Sequence, residues 1–189
     1  MSIMRNILLR MFGRPQGALG RLGGIIMART NAECGAWVTE LLEILPTESV
    51  LEVGFGPGIV IQRLSNLAGH VAGIDPSQEM VRQARSHNAS AIEGGRVDLR
   101  HGGVESLPFD SNTFDKAIAI NSMQVWPDTI AGLGEIRRVL RPGGRIGLGF
   151  TRYSGQPNEG LTETLITAGF TEGRLVRKAN NFCALAVRP

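Results

Sequence analysis

The chain has 189 residues, of which 42% are hydrophobic and 20% are charged, and its formal net charge is +3. This length and composition indicate one globular domain with a real core and exclude a disordered or low-complexity chain. No stretch approaches the length of a membrane span, and Cys34 and Cys183 are isolated cysteines without metal-ligand spacing. We therefore expect no metal site and a reducing, cytoplasmic compartment.

The first 30 residues are predicted to be a basic arm or lid, separate from a domain over 31–189. The arm contains no acid, a glycine-rich stretch at 13–24 that resembles a hinge, and five arginines, Arg5, Arg10, Arg14, Arg21 and Arg29. On a helix, one face would carry Ile3, Met4, Ile7, Leu8, Met11 and Phe12, as in helices that lie on a membrane surface. The pattern thus indicates peripheral membrane contact, or alternatively a helix packed on the domain or a frayed terminus. The apolar run at 7–9 is too short for a signal peptide.

From residue 31 onward, the hydrophobic pattern alternates between helices and strands. A helix is predicted near 31–45, where Pro46 ends it. Strands are predicted near 49–54, 70–75, 97–101, 114–121 and 144–151, and helices near 58–68, 77–91, 128–140 and 158–168. Strands near 173–178 and 182–188 follow, joined by Asn180 and Asn181, which tolerate the positive φ of a tight turn. This order predicts an α/β fold with a doubly wound, mostly parallel, seven-stranded Rossmann-like sheet and a C-terminal antiparallel hairpin.

The turn after the first predicted strand carries glycine at every second position. Gly54, Gly56 and Gly58 let the backbone bend sharply and let a ligand approach without meeting a Cβ atom, and Glu52 stands just before them. A dinucleotide-binding fingerprint would need glycine at position 59, which is Ile59. The turn predicts a nucleotide site, although such turns also close ordinary strand-to-helix junctions.

The second predicted strand ends in Asp75, 21 residues after Gly54. A carboxylate at the end of the neighbouring strand can accept hydrogen bonds from both ribose hydroxyls of a nucleotide lying across the first turn. Because Pro76 suits the first turn of a helix, Asp75 or Ser77 could instead cap that helix. The spacing of 21 residues after Gly54 favours ribose binding by Asp75 over helix capping.

Two later runs are more specific, one from His101 to Asp115 containing Leu107-Pro108-Phe109 and one containing Arg141-Pro142-Gly143-Gly144. With them, the sequence from about 49 to 150 resembles the class I S-adenosylmethionine-dependent methyltransferases, in particular their type 11 small-molecule branch. The resemblance implies S-adenosyl-L-methionine as the cofactor and a small-molecule acceptor, because relatives act on quinones, sterols and lipid headgroups. Since only the arm has an excess of basic over acidic residues, no nucleic-acid partner is expected.

The resemblance also implies which residues form the site. It places around the cofactor Glu52, Gly54, Phe55, Gly56, Gly58, Asp75, Ser77, Met80, Gly103, Val104, Asn121 and Ser122. The acceptor pocket would be shaped by Met123, Gln124 and Trp126, whose alternative role is core filling.

Two positions depart from the family pattern. The acid that usually follows glycine in the third-strand motif, where it meets the adenine amino group, is replaced by Gly103. A segment that often carries paired histidines has Gln124 and Val125, so no general base is supplied there, and Tyr153 and Asp128 are the remaining catalytic candidates. The departures leave open a cofactor-binding protein without catalysis, and the fold alone also suits a nicotinamide-dependent oxidoreductase.

Overall fold

The computed structural model describes residues 31–189, so the arm predicted over 1–30 lies outside the described residues. Helix α1 covers 31–42 and ends three residues before the predicted end. The strands are β1 (Ser49–Val53), β2 (His70–Asp75), β3 (Val97–His101), β4 (Phe114–Ile120), β5 (Leu140–Phe150), β6 (Thr171–Lys178) and β7 (Asn181–Val187). The other helices are α2 (Ile59–Leu64), α3 (Gln78–His87), α4 (Ala89–Glu93), α5 (Thr129–Val139) and α6 (Leu161–Thr167), with a 3-10 turn at Met123–Val125.

The strands of the described residues form one sheet in the order β3-β2-β1-β4-β5-β7-β6. Strand β1 pairs in parallel with β2 and β4, whereas β7 pairs antiparallel with β5 and β6. The predicted doubly wound sheet with its C-terminal hairpin is therefore confirmed. Strand succession reverses direction between β1 and β4, and sheets of this kind bind ligands at the carboxyl ends of the strands beside such a reversal.

Apolar layers cover both faces of the sheet. On one face, α5 and α6 bury Leu133, Ile136 and Leu165, and on the other face α1 and α2 bury Val38 and Ile61. Burying a side chain of this size stabilises a fold by about 1.5–3 kcal/mol. These layers fix the strands, so the loops at the carboxyl ends of β1 to β4 are carried by a rigid frame.

Asn88 divides the helix predicted over 77–91 into α3 and α4. Its φ of −117° departs from helical geometry, and its side-chain amide donates to the carbonyl oxygens of Gly58 at 3.0 Å and Ala84 at 2.8 Å. The first bond fastens the end of α3 to the glycine-rich turn. The interruption therefore helps to position that turn.

Two boundaries differ from the sequence-based predictions because of strand register. Strand β5 begins at Leu140, which pairs with Phe114 ahead of a bulge, rather than near 144. The hairpin turn predicted at Asn180 and Asn181 was wrong by one residue, since Asn181 already pairs with Lys178 in the ladder. The positive φ, 52°, falls on Ala179.

Candidate active site

A cleft lies at the carboxyl ends of β1, β2 and β4, next to the reversal in strand order. Of the residues predicted to contact the cofactor, those that line it are Gly54, Asp75, Ser77, Met80, Gly103, Val104, Asn121 and Ser122. Lining residues that the sequence did not indicate are Val53, Ile74, Pro76, Gly102, Glu105, Ile120, Val125 and Pro127. All of the latter directly follow or precede a predicted site residue, and this proximity is the signal that could have found them.

The close approach of β1 and β4 requires glycine at position 54. Gly54 has a φ of 73°, and a Cβ atom added there would lie 2.5 Å from Cβ of Ser122. The Ser122 hydroxyl donates to the Val53 carbonyl oxygen at 2.8 Å, and the Gly54 N–H donates to the Ile74 carbonyl oxygen at 2.8 Å. The two bonds tie the ends of β1, β2 and β4 into one wall of the cleft.

Asp75 holds the glycine-rich turn in place. Its Oδ2 accepts the Gly56 N–H at 2.9 Å and its Oδ1 accepts the Ser77 N–H at 2.8 Å. The Ser77 hydroxyl in turn caps α3 by accepting the Met80 N–H at 3.3 Å. Each oxygen of Asp75 keeps another lone pair, so the same carboxylate that organises the turn can accept hydroxyl groups from a ligand.

The other residues predicted at the cofactor, Glu52, Phe55, Gly56 and Gly58, do not line the cleft. Phe55 is buried in the apolar layer under α2, and a Cβ atom at Gly58 would lie 2.7 Å from Cβ of Ala84. Gly56 contributes its N–H to Asp75, as described above. Glu52 is buried, and its Oε2 makes no hydrogen bond within the described part of the chain.

Burial makes the two acids of this region hard to ionise. It raises the pKa of Asp75 to about 6, against the lowering effect of the Ser77 and Gly56 N–H groups. Burial, followed by the charge of Asp75, holds the pKa of Glu52 well above its ordinary value. Because the folded pKa of Asp75 exceeds the ordinary value of 3.8, its ionisation costs the folded protein stability as pH rises from 3.8 to about 6. A ligand that donates hydrogen bonds to Asp75 would offset that cost.

Asn121 lines the cleft, but its side chain is engaged elsewhere. With a φ of 48°, Asn121 directs its amide to Thr151, donating to Oγ1 at 2.9 Å and accepting the N–H at 2.9 Å. The amide also donates to Oδ1 of Asn31 at 2.7 Å. Asn121 therefore joins the ends of β4, β5 and α1 and offers the cleft mainly its backbone.

A second cleft adjoins the first and contains all three residues predicted for the acceptor pocket. Met123, Gln124 and Trp126 line it together with the loop at 155–160, and Trp126 also lines the first cleft. The Gln124 amide nitrogen donates to the Asn121 carbonyl oxygen at 2.8 Å, whereas Gln124 Oε1 is inaccessible to solvent and unpaired among residues 31–189. Trp126 is the shared wall of the two clefts.

The two catalytic candidates lie outside both clefts. Tyr153 is 70% exposed, beside Arg152, and Asp128 Oδ1 accepts the Ala131 N–H at 2.9 Å as the cap of α5. No histidine of the described residues lines either cleft. Across residues 31–189, no group of three or more His, Cys, Asp or Glu is placed to hold a metal ion. The same part of the chain contains no helix with the length and apolarity to cross a membrane.

Comparison with known proteins relates this geometry to a family. A family model described as a methyltransferase domain matches residues 50–144. The chain is 35% identical over 126 residues to the uncharacterized methyltransferase YdaC of Bacillus subtilis, covering 66% of this chain and 67% of that protein. It is also 35% identical over 105 residues to the demethylmenaquinone methyltransferase of Corynebacterium kroppenstedtii, covering 56% and 42%. A crystal structure of a SAM-dependent methyltransferase from Aquifex aeolicus shares the fold, with a TM-score of 0.72, 21% identity and coverage of 86% and 92%.

Proposed function

The chain belongs to the class I S-adenosylmethionine-dependent methyltransferases, and we propose that its acceptor is a small, apolar molecule that reaches the methyl group beside Trp126. The matched segment, residues 50–144, contains both the glycine-rich turn and Asp75. The observation that carries the proposal is that Trp126 lines two neighbouring clefts, one at the strand reversal and one toward the loop at 155–160. One cleft would hold the cofactor and the other the acceptor.

The first cleft fits a nucleoside cofactor by its chemistry. Asp75 supplies a buried carboxylate for paired hydroxyls, and Ile74, Met80 and Val104 supply apolar walls for a flat base. Gly54 lets the ends of β1 and β4 approach each other closely, because an added Cβ atom would lie 2.5 Å from Cβ of Ser122. We therefore assign the ribose to Asp75, the base to the side of the cleft toward β3, and the methionine part to the ends of β1 and β4.

Positioning is the main contribution that this site makes to the reaction. When bound, S-adenosylmethionine supplies an electrophilic methyl group on a positively charged sulfur atom. The wall formed by Gly54 and Ser122 bounds one side of the first cleft, and Trp126, which lines both clefts, would shield the reacting groups from water. Holding two reacting groups in line can lower a barrier by about 7–11 kcal/mol. No histidine lines either cleft in the described residues, so the proton that a hydroxyl acceptor loses on methylation would pass to the Glu159 carboxylate, which lines the second cleft, or to water.

The lining of the second cleft is mixed, with Thr129, Gln156, Glu159 and Thr164 beside apolar residues, and it suits an acceptor that has both an apolar part and polar groups. Met123 and Trp126 provide apolar surface, and Val125 and Ile130 next to them are 52% and 43% exposed. A rotation of the Gln124 side chain that exposes its buried, unpaired Oε1 would let this oxygen accept a hydrogen bond from a hydroxyl or amine of the acceptor. One relative is named for demethylmenaquinone, an apolar ring compound. We propose further that the basic, apolar arm at 1–30 brings the protein to a lipid surface that holds such an acceptor.

A methyl-transfer assay tests the proposed function. We expect turnover of a prenylated hydroquinone, faster when it is presented in anionic vesicles, and none of a small hydrophilic amine. In Gln124→Ala, kcat/KM for the acceptor should fall about tenfold, since one hydrogen bond is lost, while the dissociation constant of S-adenosylhomocysteine should stay unchanged. Gln83→Ala, which removes a glutamine on α3 outside both clefts, is the matched control.

Two results would contradict the proposal. Binding of S-adenosylhomocysteine without methylation of any acceptor would support a cofactor-binding protein that lacks catalysis. Preferred turnover of the hydrophilic amine, with Gln124→Ala as active as wild type, would overturn the apolar acceptor.

A further inference from the structure

The lining of the first cleft includes an acid that the sequence did not indicate. Glu105 lines the cleft two residues after Gly103, in the loop that follows β3. A Cβ atom added to Gly103 would lie 2.8 Å from Oε2 of Glu105. The Glu105 carboxylate therefore occupies the space into which a side chain at position 103 would extend.

One oxygen of this carboxylate lacks a partner. Oε1 of Glu105 is inaccessible to solvent and accepts no hydrogen bond from the residues that the structure describes. Leaving a buried acceptor unsatisfied costs about 1–3 kcal/mol, and more when the group is charged. A rotation of the carboxylate toward the cleft would let this oxygen meet a hydrogen-bond donor on a bound ligand, and that contact would remove the cost.

The backbone on both sides of Glu105 is fixed. On the β3 side, the Gly102 N–H donates to the Asp75 carbonyl oxygen at 3.0 Å. On the other side, the Leu107 N–H donates to Glu135 at 2.9 Å, and its carbonyl oxygen accepts from Arg138 at 2.9 Å. Glu135 and Arg138 are themselves paired on α5. The backbone that carries Glu105 is thus held on both sides, which favours one defined contact between its carboxylate and a bound ligand.

We infer that Glu105 binds the exocyclic amino group of the cofactor's adenine and so makes the site selective for adenine. The inference rests on the proposed function, in which Asp75 binds the ribose. With the ribose there, the base lies along Gly102, Gly103 and Val104, beside Glu105. The amino group is the hydrogen-bond donor that adenine presents on its edge, and a carboxylate accepts such a donor with a charge-assisted bond.

The test compares S-adenosylhomocysteine with its 6-deamino analogue, in which hydrogen replaces the amino group, by calorimetric titration of the full chain. Wild type should bind S-adenosylhomocysteine at least about tenfold more tightly than the analogue, as a charge-assisted bond predicts. Glu105→Ala should lower the affinity for S-adenosylhomocysteine by the same factor and leave the analogue unaffected, so that the preference disappears.

The double variant Gly103→Asp with Glu105→Ala provides a rescue. Gly103 has no positive φ, and Glu105 is the neighbour that a new side chain there would meet, so an aspartate fits once Glu105 is shortened. This variant should regain the preference for S-adenosylhomocysteine. A retained preference in Glu105→Ala, or equal affinities in wild type, would overturn the role of Glu105 while leaving the cofactor site standing. Failure of wild type to bind either compound would overturn the cofactor site and the role of Glu105 together.

Discussion

Replacing Asp75 with alanine should lower the affinity for S-adenosylhomocysteine about 100-fold at neutral pH, a loss of about 3 kcal/mol. Two effects add in this variant. The charge-assisted bonds to the ribose hydroxyls disappear, and the Gly56 and Ser77 N–H groups lose the acceptor that holds the turn. Calorimetric titration measures the loss. Asp98→Ala is the matched control, because Asp98 pairs with Arg100 and lies outside the cleft lining.

Asp75 should also make the affinity for S-adenosylhomocysteine depend on pH. The pKa of Asp75 is raised to about 6 in the ligand-free protein, and the ribose hydroxyls require its ionised form. The affinity of wild type should therefore fall as pH drops below about 6, by roughly tenfold for each pH unit. In Asp75→Ala this loss should vanish. Identical pH profiles for wild type and variant, or affinity at the wild-type level in the variant at pH 7, would mean that the cofactor does not contact Asp75.

Gly58→Ala should lower the free energy of unfolding by about 3 kcal/mol. Gly58 has a φ of 82°, and an added Cβ atom would lie 2.9 Å from Cα of Ala84 and 2.7 Å from Nδ2 of Asn88. The first neighbour is backbone on α3 and cannot give way cheaply. The alanine therefore adds steric overlap to the strain of a left-handed backbone.

Gly95→Ala separates these two contributions. Gly95 has a φ of 70°, and no atom lies within 4 Å of an added Cβ atom. The free energy of unfolding of this variant should therefore fall only by the strain of the left-handed backbone, about 1 kcal/mol. Urea denaturation of both variants gives the comparison. Equal losses would show that the turn and α3 can separate without cost, and that the packing of Gly58 does not fix the turn.

The sheet could be predicted from the sequence because its signals are local. In the sequence, buried parallel strands are short apolar runs bounded by glycine, proline and acids, and helical patterns alternate with them. The boundary of β5 could not be predicted in this way. Leu140 joins the strand because it pairs with Phe114, a residue distant in sequence, and the register of the two strands shifts at a bulge between Phe114 and Lys116.

The site was only partly predictable for a related reason. Asp75 and the glycines follow strands directly, so their spacing indicated a cleft at the strand ends. Two features depend on tertiary packing and could not be predicted. Phe55 is buried in the apolar layer under α2, and Oε1 of Glu105 has no hydrogen-bond partner among the described residues. The absence of an acid at Gly103 was visible in the sequence, whereas the carboxylate that fills the same space became visible only in three dimensions.

A crystal structure of the full chain with bound S-adenosylhomocysteine tests most directly the claim that the cofactor lies in the cleft at the reversal of strand order. We predict that both ribose hydroxyls lie within hydrogen-bond distance of the Asp75 carboxylate and that the sulfur atom faces the side of the cleft bounded by Trp126. A nucleoside bound away from the glycine-rich turn, with no contact to Asp75, would contradict the account.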